Sequence, residues 1–177
     1  MYGQGYFTGH LCGYAAGPRM IEDIHPRHYA RLLKINEEFV HWLAPMDKAK
    51  LEWVLSKATY ARQIDDARAV LIGYPSGVDY PDHWNLTWLK QHFKNFFYID
   101  RVIVDAEAHG KGYGRRLYDD ITDFARDAGH TYLCCEVNTL PNNPNSHKFH
   151  IAQGFTAYGE QIFPTGEKAV RYYGKRL

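Results

Sequence analysis

The sequence predicts a mixed α/β fold, and three observations predict it. Short β-branched apolar runs alternate with segments of helical period. The clearest of these runs, over 96–104, leads through a glycine cluster directly into an amphipathic helix. The 177 residues suffice for one sizeable core but not comfortably for two. The globular pattern begins at Met20, so 20–177 is read as a single domain. Residues 1–19, rich in Gly and Tyr without periodicity, are read as an extension, flexible or packed over the site as a lid.

The elements follow in order. A short strand over 20–24 precedes Leu32, Leu33, Ile35, Phe39, Val40 and Leu43, whose spacing predicts a helix over 26–43 with Pro26 in its first turn. Asp47 is placed to cap a second helix carrying Leu51, Val54, Leu55 and Ala58 on one stripe. Two helices are thus expected before the next strand, the buried run over 69–74, which Pro75, Ser76 and Gly77 interrupt. A short helix is expected over 84–93. Its surroundings hold Tyr80, Trp84, Trp88 and Phe93, aromatics that either line a substrate entrance or cap the core. After the strand over 96–104, Leu117, Ile121, Phe124, Ala125 and Ala128 mark a helix ending at Gly129. A strand over 131–137, a helix over 145–153 and strands over 155–163 and 168–175 complete the chain.

Composition narrows the function. Lys and Arg number 21 against 20 Asp and Glu, so no global positive field argues for nucleic acid or a polybasic membrane anchor, and any anion site must be local. Cys12, Cys134 and Cys135 lack metal-type spacing and are read as reduced thiols of a cytoplasmic protein. No run approaches the ~20 apolar residues of a membrane span, and the start lacks a signal-peptide pattern.

The chemistry gathers around the glycines. Gly110, Gly112 and Gly114 lie between a strand and a helix, where several backbone N–H groups and the helix's positive end can converge on a phosphate. The P-loop pattern is absent. A Rossmann site would open its domain, whereas these glycines come late, although Glu136 stands where an acidic residue at the end of the next strand belongs. His147 and His150, like His25 and His28, are three apart, but no matching carboxylate or Cys pair accompanies them, so no metal is expected.

Two motifs in this order resemble the GNAT N-acetyltransferase superfamily. The first runs from Val104 through His109-Gly110-Lys111-Gly112-Tyr113-Gly114-Arg115 to Leu117. It is similar to the family's strand-ending valine followed by Arg/Gln-x-x-Gly-x-Gly/Ala and a helix, with His109 where Arg or Gln is usual. The second, from Asn143 through Ser146, Phe149 and His150 to Gly154 and Phe155, is similar to Asn-x-x-Ala/Ser-x-x-Phe/Leu-Tyr-x-x-x-Gly-Phe. Tyr80, Asn85, Trp88, the run from Phe97 to Val102 and Cys135-Glu136-Val137-Asn138 further resemble a bacterial branch of predicted GNAT acetyltransferases.

The resemblance implies the GNAT fold, a mixed and mostly antiparallel sheet with a central splay, flanked by helices, and acetyl-CoA as co-substrate. Val102, Ile103 and Val104 would offer pantetheine a strand edge. The turn from His109 to Arg115 would hold the pyrophosphate, with Asn143 and Ser146 beside the pantetheine arm. Direct attack by a neutral amine needs a base, an oxyanion donor and an acid. Asp100 is the candidate base, because strict alternation puts it on the face of Val102 and Val104; the alternative is a structural ion pair. The oxyanion donor is a main-chain N–H near Val102. His150 stands where the family has a Tyr acid and would act as imidazolium, alone or with Tyr158 or solvent. The expected activity is transfer of acetyl to the primary amine of a small molecule or peptide, with no membrane or nucleic-acid partner. A catalytically weak acyl-CoA-binding regulatory module is the alternative, and a monomer and a homodimer both remain open.

Overall fold

A computed structural model describes residues 20–177. The extension expected at 1–19, with Cys12, lies outside the described residues. The strands are β1 (Ile21–Asp23), β2 (Tyr60–Ile64), β3 (Ala69–Pro75), β4 (Phe96–Val104), β5 (Tyr132–Leu140), β6 (Thr156–Ile162) and β7 (Ala169–Arg176). They form one sheet in the order β1-β2-β3-β4-β5-β7-β6, in which β4 and β5 alone run parallel. Helices α1 (Tyr29–Glu38), α2 (Lys48–Lys57) and α3 (Trp84–His92) cover one face. The other carries α4 (Tyr113–Asp127) and α5 (Pro144–Ala152). This is the expected architecture.

The central strands are apolar throughout because both their faces are covered. In β3, Ala69 and Leu71 join the core under α4, while Val70, Ile72 and Tyr74 join the core under α1, α2 and α3. Helix α4 meets the first of these cores through Leu117, Ile121 and Ala125 and ends where Gly129 takes φ +80°. Asp47 caps α2 by accepting the Lys50 N–H at 2.7 Å, as its sequence position implies.

Two elements differ from expectation. Strand β2 has no counterpart in the sequence reading. Arg62 and Gln63 interrupt its alternation, and its turn into β3 uses Asp65, Asp66 and Ala67 at positive φ instead of glycine. Helix α1 stops at Glu38, short of the expected 43. The chain from Phe39 to Met46 is drawn across the sheet by polar anchors: Asn36 Nδ2 donates to the Ala44 carbonyl at 3.3 Å, and Asn138 Nδ2 to the Trp42 carbonyl at 3.0 Å.

The feature that positions the site is in the middle of the sheet. Strands β4 and β5 pair only from Phe96–Tyr132 to Tyr98–Cys134 and then diverge, so β4 beyond Tyr98 has no strand partner on that side. On its other side β4 is bulged. Ile72 pairs with Arg101 and Gly73 with Ile99, leaving Asp100 unmatched. The bulge resets the alternation: Ile99 and Val102 both face α4, whereas Tyr98, Asp100 and Arg101 turn to the α3 side.

Gly73 makes room for this. A Cβ there would lie 2.7 Å from Phe97 Cε1 and 2.8 Å from the Tyr98 carbonyl oxygen, and a strand carbonyl cannot withdraw without breaking its ladder. Gly73→Ala is therefore expected to destabilise the fold by about 2–3 kcal/mol in urea unfolding. Gly77→Ala, where no atom lies within 4 Å, is the control and is expected to change stability by less than about 0.5 kcal/mol.

Candidate active site

Two cavities meet where β4 and β5 separate. The first, of about 620 Å³, lies between the end of β4, the glycine turn and α5. Gly110 and Gly112 hold φ +77° and +75°, and no atom lies within 4 Å of a Cβ built on either, so the turn is an open cradle. Gly112 gives α4 no side-chain cap, leaving the positive end of a 15-residue helix at the cavity wall. With the unpaired edge of β4 alongside, these groups fit a pyrophosphate followed by an amide-bearing arm.

The predicted donor residues distribute plainly. Val102, Ile103, Val104, His109, Gly110, Gly112, Tyr113, Gly114, Arg115, Asn143 and Ser146 all line this cavity. Lys111 does not line it. The left-handed glycines on either side turn it out of the cavity, into a charged surface patch with Asp65, Asp66 and Glu107. His109 donates from Nε2 to the Val104 carbonyl at 3.0 Å and so ties the turn to the strand end. Asn143 caps α5 by accepting the Ser146 N–H at 3.1 Å.

The second cavity, about 550 Å³, shares Trp42, Leu43, Val102, Asn143, Ser146 and His150 with the first and extends to the α3 side. Asp100 lines only this one. Its expected place beside Val102 and Val104 is overturned by the bulge: Asp100 stays on the face of Phe96 and Tyr98, and Val102 and Val104 pass to the face of Ile99. There it accepts a hydrogen bond from His83. His83 Nδ1 takes the Leu86 N–H at 3.2 Å, so the proton is on Nε2, which donates to Asp100 Oδ1 at 3.0 Å. Tyr80 and Trp84 line the same cavity, whereas Trp88 stacks on Tyr172 at 3.9 Å and Phe93 packs in the core. The aromatic segment thus serves both purposes.

Glu136, which the sequence presents as a Rossmann-type acid and as part of the bacterial-branch resemblance but not as a catalytic candidate, stands at this cavity. It projects from β5 on the α3 side, where Asn85 Nδ2 donates to its Oε1 at 2.7 Å and the Tyr98 hydroxyl at 3.0 Å. Its Oε2 is buried without a partner. Burial pushes its carboxyl up to about 7, against the opposing pull of His83 and with a smaller push from the charge of Asp100. The available signal was Glu136 within Cys135-Glu136-Val137-Asn138, a strand position that matters only because β4 moves away from it.

His150 is 2% exposed. Its Nδ1 faces the Ser146 carbonyl at 2.7 Å, which only accepts, so Nδ1 carries the proton and Nε2 accepts the Tyr118 hydroxyl at 2.7 Å. Burial lowers its pKa to about 4, so the imidazolium expected from the sequence is not its resting form at neutral pH. Tyr118, whose own ionisation burial pushes far up, was not foreseen. Tyr158, the suggested alternative acid, lines neither cavity and packs against Phe93 on the exposed β6. His147, the other histidine of that spacing, is held within the fold: it accepts from Tyr173 at 2.8 Å and donates to the Asn138 carbonyl at 3.0 Å.

The buried neutral His150 makes stability depend on pH. Its folded pKa of about 4 lies below the ordinary 6.5, so the unfolded chain binds the extra proton. The contribution is complete above about pH 6.5 and is lost as pH falls towards 4. Between pH 7 and pH 4.5 the wild type is expected to lose about 2 kcal/mol relative to His150→Phe, read as the pH dependence of the difference between their denaturant curves.

Comparison with known proteins gives this geometry a family. The sequence matches the acetyltransferase (GNAT) family over residues 21–155. Among solved structures, the ribosomal-protein-S18-alanine N-acetyltransferase of Escherichia coli is 14% identical, with a TM-score of 0.66 over 90% of this chain and 94% of that one. Ard1 of Thermoplasma volcanium is 13% identical, with 0.72 over 90% and 97%. A GCN5-related N-acetyltransferase of Kribbella flavida is 18% identical, with 0.63 over 90% and 98%. At such identities these likenesses speak to fold alone. No curated protein matches significantly by sequence. Among the described residues no helix is long and apolar enough to cross a membrane. By the match over most of its length, the chain belongs to the GNAT acetyltransferase family, whose reaction is acyl transfer from acetyl-CoA to an amine.

Proposed function

We propose that the protein moves the acetyl group of acetyl-CoA to the primary amine of a small molecule or peptide by direct attack, with Glu136 as the base. The observation that carries this reading is a buried carboxyl poised at about 7, with a free oxygen, in a cavity that joins the donor cavity at Val102, Ser146 and His150. A base poised near neutrality both exists in its ionised form and accepts a proton readily.

The glycine turn and the end of α4 would hold the pyrophosphate, and the edge of β4 the pantetheine amides. Acetyl-CoA bound there supplies an activated acyl carbon, to which the amine nitrogen bonds as the carbon–sulfur bond breaks and the sulfur departs with its electron pair. Glu136 Oε2 takes the proton of the incoming ammonium. Asp100 acts on Glu136 through its charge, helping to keep that carboxyl basic. The Tyr118 hydroxyl would turn from His150 Nε2 to give its proton to the departing sulfur and regain one from the nitrogen as the amide forms, so no buried tyrosinate persists, and His150 holds that hydroxyl in place between turnovers. Trp42 and Leu43, common to both cavities, cover the junction against water.

The second reading, a catalytically weak acyl-CoA-binding module, draws on His150, both of whose nitrogens are already committed. The two separate in one assay of thiol release from acetyl-CoA over a panel of amines. For the enzyme, kcat/KM should rise with pH through about 7 as Glu136 ionises and level off above. Glu136→Gln, which keeps an acceptor for Asn85 and Tyr98, should lower kcat/KM by about 10²–10³ and remove that inflection. Tight CoA binding without thiol release on any amine would decide for the module.

A further inference from the structure

Arg101 is the charged group in the acceptor cavity that acetyl transfer leaves unexplained. It is 8% exposed, yet its Nη1 bonds only neutral groups: Asn36 Oδ1, the Ala44 carbonyl at 3.4 Å and the Met46 sulfur at 3.6 Å. Its Nε is buried with no hydrogen-bond partner. Among the described residues, none of the ion pairs involves it. Of the three carboxylates that line the cavity, Asp100 is engaged by His83 and Glu136 by Asn85 and Tyr98, while the exposed Asp82 forms no ion pair with Arg101.

A buried guanidinium without a counter-charge is costly, and such groups persist where an anion completes them. The bulge is what brings this one to the cavity. By resetting the alternation of β4 it sends Asp100 and Arg101 to the same side, so one strand delivers a carboxylate and a guanidinium to one space. Two further cations line that space. Lys50 Nζ stands 4.2 Å from the Trp53 ring and 5.0 Å from the Tyr80 ring, and Lys168 Nζ 5.3 Å from the Phe163 ring. Neither belongs to an ion pair among the described residues. A cavity built for a plain amine would need acidic groups alone, whereas this one sets cations beside them.

We infer that the acceptor is a free amino acid, whose carboxylate is taken by Arg101 while its amine is presented to Glu136. The planar fork of a guanidinium matches a carboxylate, and an ammonium would not replace it. The identification of the cavity as the acceptor site comes from the acetyl-transfer reading, but the pairing with Arg101 is a binding property and can be measured without turnover.

The test titrates wild-type protein, saturated with CoA, with the common amino acids, their carboxamides and their decarboxylated amines by calorimetry. Thiol release from acetyl-CoA is measured with the same compounds. At least one amino acid should bind about 100-fold more tightly than both of its analogues. Arg101→Lys should cut that preference about tenfold, and Arg101→Gln should reduce it to within about threefold, in protein that still unfolds cooperatively. The wild-type comparison stands even if a variant does not fold. Equal binding of acid, amide and amine overturns the inference, and amides bound as well as acids point to peptide N-termini instead. Thiol release that depends on Glu136 but ignores the carboxylate would leave acetyl transfer standing and refute the amino acid. Carboxylate preference without thiol release would do the reverse.

Discussion

After Tyr98 and Cys134 the two middle strands of the sheet stop exchanging hydrogen bonds, and nearly every other property of the molecule is arranged around that break. Backbone donors and acceptors in a protein interior need partners. The edge of β4 from Ile99 onward is therefore tolerable only if something else meets it, and the family's donor carries amides suited to the task. The break also opens a passage through the sheet, so residues of both faces line one continuous space. The segment from Phe39 to Met46 leaves its helix to cover that passage, held by Asn36 on one side and Asn138 on the other.

The same passage sets the electrostatics. Burial disfavours the charged form of both Glu136 and His150, and with changing pH the two move stability in opposite directions. The Glu136 carboxyl, raised to about 7, contributes most below its ordinary value of 4.5, and its contribution disappears as pH rises through 7. The His150 imidazole contributes above 6.5 and fails as pH falls towards 4. Across mildly acidic pH these gradients offset one another, so a carboxyl raised this far leaves only a modest mark on the stability curve.

Much of the architecture can be read from local pattern. The apolar run of β4, the glycine turn, the stripe of α4 and the Asp47 cap each follow from neighbouring residues, so they are legible without the partner strands. The acceptor side is not. Asp100 was assigned to the wrong face because alternation assumes an unbroken ladder, and a bulge shows itself only against the strand across from it. Gly73, a glycine inside an otherwise apolar strand, was the visible hint. Glu136 and Arg101 acquire meaning only from burial and from what they fail to pair with. Strand β2 escaped for a related reason: Gln63 is buried there because its side chain accepts the Ala67 N–H at 2.7 Å, an arrangement that hydropathy cannot register.

One imidazole joins two tasks that are usually separate. His83 accepts the Leu86 N–H with one nitrogen, beginning α3, and donates to Asp100 with the other. A proton added to its Nδ1 would remove the helix cap, and loss of the Asp100 acceptor would leave its Nε2–H without a partner. The start of α3 and the Asp100 carboxylate of the second cavity thus hang on one ring. A change at Asp100 therefore reaches into the first turn of a helix, whereas Lys168, which lines the same cavity, stands apart from that cap.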